Sequence, residues 1–185
     1  MRVISGTNKG QRLLAPKGKK TRPTEDRIKE SIFNILMPIK EDSIILDVFS
    51  GSGQIGIEFL SRGAEKVIFV DYSKESIAII NENLERTRLK NKGLVIKSDY
   101  SKALEHCMEN EIFFDYIYMD PPFSEIILFK KALEQIHTNS LLKVDGVLII
   151  EHQKDIEFDD MYNFSLIDNR KYGNVDISIF YNNKR

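Results

Sequence analysis

The sequence predicts an α/β fold, a doubly wound and mostly parallel sheet with a C-terminal antiparallel hairpin. Three observations lead there. First, the run Ile44-Ile45-Leu46-Asp47-Val48-Phe49 passes into a loop carrying Gly51, Gly53 and Gly56, after which Ile57, Phe59 and Leu60 return at helical spacing. Strand, glycine turn and helix in that order form the entry to a nucleotide-binding α/β unit. Second, five short apolar runs alternate with helical segments, the pattern of parallel strands joined by crossover helices. Third, Phe164–Lys171 and Val175–Tyr181 are joined only through Gly173-Asn174, too closely for a helical crossover, so they must pair antiparallel and supply an edge strand.

The elements follow in chain order. Within the first 24 residues, Val3-Ile4 and Leu13-Leu14 flank a Gly/Asn/Lys turn and suggest a short hairpin. Arg22-Pro23-Thr24 opens a helix: Thr24 can cap it, Glu25 and Asp26 suit its positive first turn, and Pro38 stops it after Ile28, Ile32, Ile35 and Leu36. Lys66–Asp71 reads as the second strand, and Ser73 begins a helix carrying Ile77, Ile80 and Leu84. Leu94–Lys97 is the third strand, followed by a short helix through Leu104 to Met108. Asp115–Asp120 is the fourth and runs into Pro121-Pro122-Phe123. A helix over Ile126–Ile136, a turn at Asp145-Gly146 and a strand Val147–Ile150 complete the body. The expected organisation is a basic hairpin and helix over residues 1–40 packed on a domain over residues 41–185.

Composition bounds the function. A chain of 185 residues, 42% hydrophobic, suits one domain with a small appendage. No apolar run approaches the ~20 residues needed to span a bilayer, so no membrane partner is expected. One cysteine, Cys107, fits a reducing, cytoplasmic setting and reads as a packing residue. Three scattered histidines and one cysteine assemble no zinc site, and no metal is expected. Net charge is −1 but unevenly spread: residues 1–24 hold seven Lys/Arg and no acid, leaving 20 basic against 28 acidic residues elsewhere. A basic arm on an acidic body is an electrostatic footprint for nucleic-acid phosphate, with Arg2, Lys9, Arg12, Lys19, Lys20 and Arg22 as the candidate RNA-binding residues.

Three acids fall at the carboxyl ends of successive strands: Asp47, Asp71 and Asp99. Ligands of open α/β sheets bind at that edge. Asp71 is placed to accept from both hydroxyls of a ribose, and Asp99 from the exocyclic amine of an adenine. Both would also suit a dinucleotide. Asp47, four positions before Gly51, discriminates, because a carboxylate there repels a pyrophosphate at the helix N-terminus. It is favourable beside the ammonium and sulfonium of S-adenosylmethionine. Ser50, Ser52, Tyr72 and Tyr100 flank these positions and complete the candidate cofactor-binding set with Gly51 and Gly53.

Asp120-Pro121-Pro122-Phe123 is the candidate catalytic set. An exocyclic purine amine is a poor nucleophile because its lone pair is delocalised into the ring. Two acceptors, the Asp120 carboxylate and the Pro121 carbonyl, can hold the amine hydrogens and turn the lone pair towards a methyl group. The prolines fix that carbonyl, and Phe123 can stack on a base drawn out of its helix.

At these residues the chain resembles the small-subunit (16S) ribosomal RNA guanine-N2 methyltransferases of the RsmD type. The resemblance runs through R-V-I-S-G at the start, R-P-T-E-D-R-I-K-E-S-I-F-N, L-D-V-F-S-G-S-G, D-P-P-F and K-Y-G-N-V-D-I near the end. It implies a class I S-adenosylmethionine-dependent methyltransferase (Rossmann-like) fold, S-adenosylmethionine as donor, and a guanine of 16S ribosomal RNA as acceptor, within an assembled or nearly assembled small subunit. It also implies donor-binding roles for Asp47, Gly51, Gly53, Asp71 and Asp99 and a target-amine role for Asp120, Pro121 and Phe123. Glu151-His152-Gln153 at the end of the fifth strand departs from the pattern, and His152 reads as packed or solvated. Two alternatives stand beside this reading: an amino-methyltransferase of DNA adenine or protein glutamine, and a non-catalytic RNA-binding or assembly protein on the same fold.

Overall fold

A computed structural model of the chain describes residues 1–16, 26–121, 126–154, 156 and 162–183. Seven strands form one sheet: β1 Ile44–Val48, β2 Lys66–Asp71, β3 Gly93–Lys97, β4 Phe114–Met119, β5 Leu142–Gln153, β6 Phe164–Tyr172 and β7 Val175–Asn182. Their order across the sheet is β3-β2-β1-β4-β5-β7-β6. The first five run parallel, and β7 pairs antiparallel with both β5 and β6. The direction reverses between β1 and β4, and that switch in strand order sets the edge where a ligand crevice opens.

The C-terminal hairpin therefore adds two strands rather than one, with β7 lying inside the sheet. Burial follows this placement: β7 is buried along nearly its whole length, whereas β6, at the edge, is mostly exposed. A second difference concerns Asp145-Gly146. The expected turn is absent, and β5 runs through the dipeptide with Asp145 at φ 63° and a register shift between Phe114 and Tyr116 of β4. Between the pairs Phe114–Leu142 and Tyr116–Val147, β4 advances two residues and β5 five, so three extra residues of β5 bulge out while the ladder continues on both sides.

Helices α1 Asp26–Leu36, α2 Gln54–Ser61 and α3 Lys74–Arg86 cover one face of the sheet, and α4 Tyr100–Glu109 and α5 Ile126–Thr138 the other. Alternation along the strands divides the core in two. Ile45, Val67, Tyr118 and Ile149 point to the first face, while Leu46, Ile68, Met119 and Ile150 point to the second. Ser73 caps α3 by accepting from the Ser76 N–H, as its sequence position suggests. The proposed Thr24 cap of α1 lies outside the described residues.

The N-terminal segment is a docked hairpin. Arg2 and Arg12 pair antiparallel, and Val3 and Leu13 enter the first core. Each buried aliphatic side chain contributes about 1.5–3 kcal/mol relative to exposure. Polar contacts hold the turn down: Glu58 accepts from the N–H groups of Ile4 (2.8 Å) and Ser5 (3.0 Å), and Ser61 O accepts from the Thr7 N–H (2.8 Å). Gly6, at φ 83°, lies so near α2 that a Cβ on it would sit 1.8 Å from Ser61 O. Asn83 Oδ1 accepts from the Leu14 N–H at 2.8 Å, which ties the outgoing strand to α3.

Candidate active site

The strand ends at the β1/β4 switch gather the predicted acids. Asp47 is the penultimate residue of β1, 2% exposed, and its Oδ2 accepts from the Gly56 N–H at 3.1 Å. It serves the first turn of α2, where Gly53 is the N-cap and offers no side chain. Burial pushes its pKa up to about 7, against the lowering effect of the Gly56 N–H. A cation placed beside this carboxylate would relieve that cost; an anion would add to it.

The loop between β1 and α2 has a distinct job for each residue. Phe49, Gly51 and Gly53 have φ of 64°, 56° and 74°, so the backbone turns left-handed three times. A Cβ on Gly51 would meet only one atom, at 4.0 Å, so open space lies beside it. Gly56 is a packing glycine: a Cβ there would lie 2.3 Å from the Phe69 ring, which lets α2 rest directly on β2. Ser50 braces the sheet rather than facing the crevice. Its hydroxyl donates to Asp47 O at 2.6 Å and accepts from the Val70 N–H at 2.9 Å. Ser52 is buried beside Met1 Sδ, at 3.4 Å.

Asp71, at the end of β2, is likewise engaged. Its two oxygens accept from the N–H groups of Gly51 and Ser73, both at 2.8 Å, and burial raises its pKa. A carboxylate oxygen has two acceptor positions, so each can take one more donor, such as a ribose hydroxyl, while the carboxylate also fixes the loop. Tyr72 beside it is 72% exposed, a bare aromatic face at the crevice edge. Asp99 caps α4 by accepting from the Ser101 N–H at 2.9 Å and is exposed. Tyr100 follows with its ring centroid 5.6 Å from that of Phe49.

Asp120 stands just past β4, half-buried, with Pro121 buried behind it. Burial pushes the Asp120 carboxyl well above the ordinary carboxylate range, and Glu151 and Asp47 push it further the same way. Pro122 and Phe123 lie outside the described residues. Asp47, Asp120 and Glu151 thus form an acidic wall that the sequence pattern does not reveal. In the sequence Glu151 reads as part of a strand-end departure, and nothing in its neighbours marks it as buried. Among the described residues no group of His, Cys, Asp and Glu is arranged to hold a metal ion. His152 is buried on the opposite face, its ring nitrogens 2.8 Å from Ser178 Oγ and 2.7 Å from Gln153 O.

The arm's basic residues divide. Arg2 pairs with Asp26 at 3.2 Å, and Lys9 and Arg12 are exposed on the outer face of the hairpin. Lys19, Lys20 and Arg22 lie outside the described residues. Arg88 and Lys90 join this surface without any signal in the sequence. The hairpin turn reaches their loop through Asn8 Nδ2, which donates to Thr87 O at 2.8 Å, so the segment carrying Lys9 meets the one carrying Arg88, while Lys90 Nζ donates to Asn81 Oδ1.

Residues 1–181 match the model of the family described as conserved hypothetical protein 95, that of the RsmD proteins. The chain belongs to this family. Among its relatives is the Bacillus subtilis protein YlbH, provisionally named an rRNA methyltransferase, 40% identical over 97% of this chain and 98% of its own. A Haemophilus influenzae relative named ribosomal RNA small subunit methyltransferase D is 31% identical over 98% of this chain and 94% of its own. Of solved structures, the Escherichia coli protein yhhF, provisionally named a methyltransferase, superposes with a TM-score of 0.84 at 25% identity over 100% of this chain and 99% of its own. The fold of this RsmD-family chain is accordingly the class I methyltransferase fold with an added C-terminal hairpin.

Proposed function

We propose that the protein transfers a methyl group from S-adenosylmethionine to the exocyclic N2 amine of a guanine in small-subunit ribosomal RNA. Membership of the RsmD family makes it a methyltransferase of ribosomal RNA; the base, the atom and the assembled small subunit as substrate are the finer reading. The observation that carries the donor assignment is Asp47, a buried carboxylate held near pKa 7 at a helix start where a dinucleotide would put its pyrophosphate. The residues fit the donor: Asp47 for its ammonium, Asp71 for its ribose, Tyr72 and Asp99 for its adenine, and Gly51 for close backbone approach. When bound, the donor supplies an electrophilic methyl on a positively charged sulfur.

The chain's own residues do the rest. The Asp120 carboxylate and the Pro121 carbonyl accept the two hydrogens of the target amine and aim its lone pair at the methyl. Asp120 also offsets positive charge as it develops on the nitrogen. The Watson–Crick edge of guanine presents two donors, N1–H and the N2 amine, which suits a carboxylate. Adenine presents an acceptor beside its amine. Most of the rate enhancement then comes from in-line positioning. The outer hairpin face, with Lys9 and Arg12 beside Arg88 and Lys90, supplies phosphate contacts that orient the RNA without reading its sequence.

The test is single-turnover methyl transfer to unmethylated small subunits, with the modified nucleotide mapped by mass spectrometry. Asp120→Ala should lose roughly 100- to 1000-fold in rate, the scale for removing one preorganised electrostatic partner, and bind donor normally. A rate within about threefold of the parent would remove Asp120 from the mechanism. Transfer to DNA or a protein glutamine instead of the subunit would overturn the substrate.

A further inference from the structure

Glu151 is a buried carboxylate that the mechanism above leaves unused. It sits near the carboxyl end of β5, 5% exposed, and accepts a 2.7 Å hydrogen bond from the Tyr118 hydroxyl on the adjoining strand. β4 and β5 run parallel with Met119 opposite Ile150. One step further along each chain brings Asp120 beside Glu151. On the other side of β4, Asp47 lies opposite Tyr118. Alternation puts Asp47, Tyr118 and Glu151 on one face, that of Ile45, Tyr116 and Ile149. Apolar side chains line the strands beneath Glu151, so a carboxylate here carries a desolvation cost that packing alone does not require.

We propose that Glu151 is a positioning residue for Asp120: a second negative charge, anchored by Tyr118, that keeps Asp120 basic enough to take the proton the target amine releases. The inference rests on the methyltransferase reading given above. In the step, the nitrogen lone pair forms the N–C bond to the methyl group. The C–S bond breaks with its electron pair left on sulfur. The N–H bond yields its electrons to nitrogen as the proton passes to a carboxylate oxygen of Asp120.

A like charge nearby raises the proton affinity of a carboxylate, and two that interact strongly titrate as a pair. The Tyr118 hydroxyl favours the ionised form of Glu151, so Asp120 is the member made more basic. Among the described residues, the charges acting on Asp120 are Glu151 from β5 and Asp47 from β1, in the same direction. The cations with buried side chains on this face, Lys29 and Arg62, are engaged by Glu58, and Arg27, Lys74 and Arg86 of the covering helices are exposed.

Glu151→Gln tests this, since the amide keeps the shape and can still accept from Tyr118 but carries no charge. Two measurements are made. One is the titration of the Asp120 carboxyl in the donor-free protein by carbon-13 NMR, with Asp120→Asn assigning the signal. The other is the pH profile of single-turnover methyl transfer. Glu151→Gln should lower the Asp120 midpoint by at least about one pH unit and move the acid limb of the rate profile to lower pH by the same amount. Tyr118→Phe, which leaves Glu151 in place, should shift both in the same direction by less. A purely structural role would instead lower the rate evenly at every pH. An unmoved midpoint in both variants overturns the charge coupling. A moved midpoint with an unmoved rate limb overturns the proton-acceptor role. Failure of the methyltransferase reading itself would appear separately, as a parent protein that transfers no methyl group to the small subunit at any pH.

Discussion

Lys29 and Glu58 approach within 3.7 Å with both side chains fully buried, one on α1 and the other on α2. Glu58 also takes the Arg62 guanidinium at 2.8 Å, while Lys29 Nζ donates to Arg2 O. With the N–H groups of Ile4 and Ser5 on the same carboxylate, this cluster clamps the N-terminal hairpin to the body. Burial lowers the Lys29 pKa, against the raising effect of Glu58. Glu58→Ala leaves the buried Lys29 ammonium without its counter-charge and two backbone N–H groups without their acceptor. It should destabilise the protein by about 3–5 kcal/mol, read by chemical denaturation. Paired replacement of Lys29 and Glu58 by Met and Leu removes the buried ammonium but still leaves the Ile4 and Ser5 N–H groups and Arg62 without the carboxylate, so it should recover only part of that loss.

The same clamp changes how the arm must be probed. Deleting residues 1–16 would strip Val3 and Leu13 from the core together with the arm's exposed cations, confounding stability with binding. Substituting exposed side chains separates the two. Lys9→Ala with Arg12→Ala should leave the melting temperature within about 1–2 °C and make the salt dependence of RNA affinity shallower. The slope of log K against log salt should fall by roughly 0.7–0.9 for each phosphate no longer neutralised. Equal slopes for parent and variant would remove these residues from the RNA surface.

Asp47 makes donor affinity depend on pH. In the free protein its pKa is about 7, and a cationic ligand favours the ionised form. Affinity for S-adenosylmethionine should therefore tighten as pH rises from 6 to 8, with proton release on binding. Calorimetry in buffers of different ionisation enthalpy measures both. Asp47→Asn should bind more weakly, with the pH dependence gone.

Asp120 carries a stability cost that its function requires. Its folded pKa is raised above the unfolded value, chiefly by burial. Such a group contributes stability that is present below the unfolded pKa and lost as pH rises through the folded one. Asp120→Asn should therefore be more stable than the parent at pH 8. The gain should shrink towards pH 4. Thermal unfolding at the two pH values checks it, and a variant less stable than the parent at pH 8 would contradict the acidic wall.

The parts of this molecule governed by local pattern were legible from residues alone. The strand, glycine turn and helix at 44–61, the Ser73 cap and the acids at successive strand ends all rest on periodicity and short-range chemistry. So does the N-terminal hairpin, whose apolar pairs alternate with basic residues. What escaped depends on contacts distant in sequence. Lys29 and Glu58 look like solvated charges on amphipathic helices, and only the approach of residues 2–5 makes their burial tolerable. Glu151 becomes part of the site only through the β4–β5 register and the Tyr118 hydroxyl. Likewise, nothing in the sequence of Val175–Asn182 distinguishes an interior strand from an edge strand, and its nearly continuous burial is a property of its neighbours.

The position of β7 has a consequence for synthesis. It alone joins β6 to the rest of the sheet, and it closes both cores, Ile177 and Ile179 on one side and Phe180 on the other. Until residues 175–182 have left the translating ribosome, β5 remains an open edge with unpaired backbone groups, a template for association with other chains. A nascent chain stalled before Val175 is therefore exposed to aggregation however well its first five strands have paired.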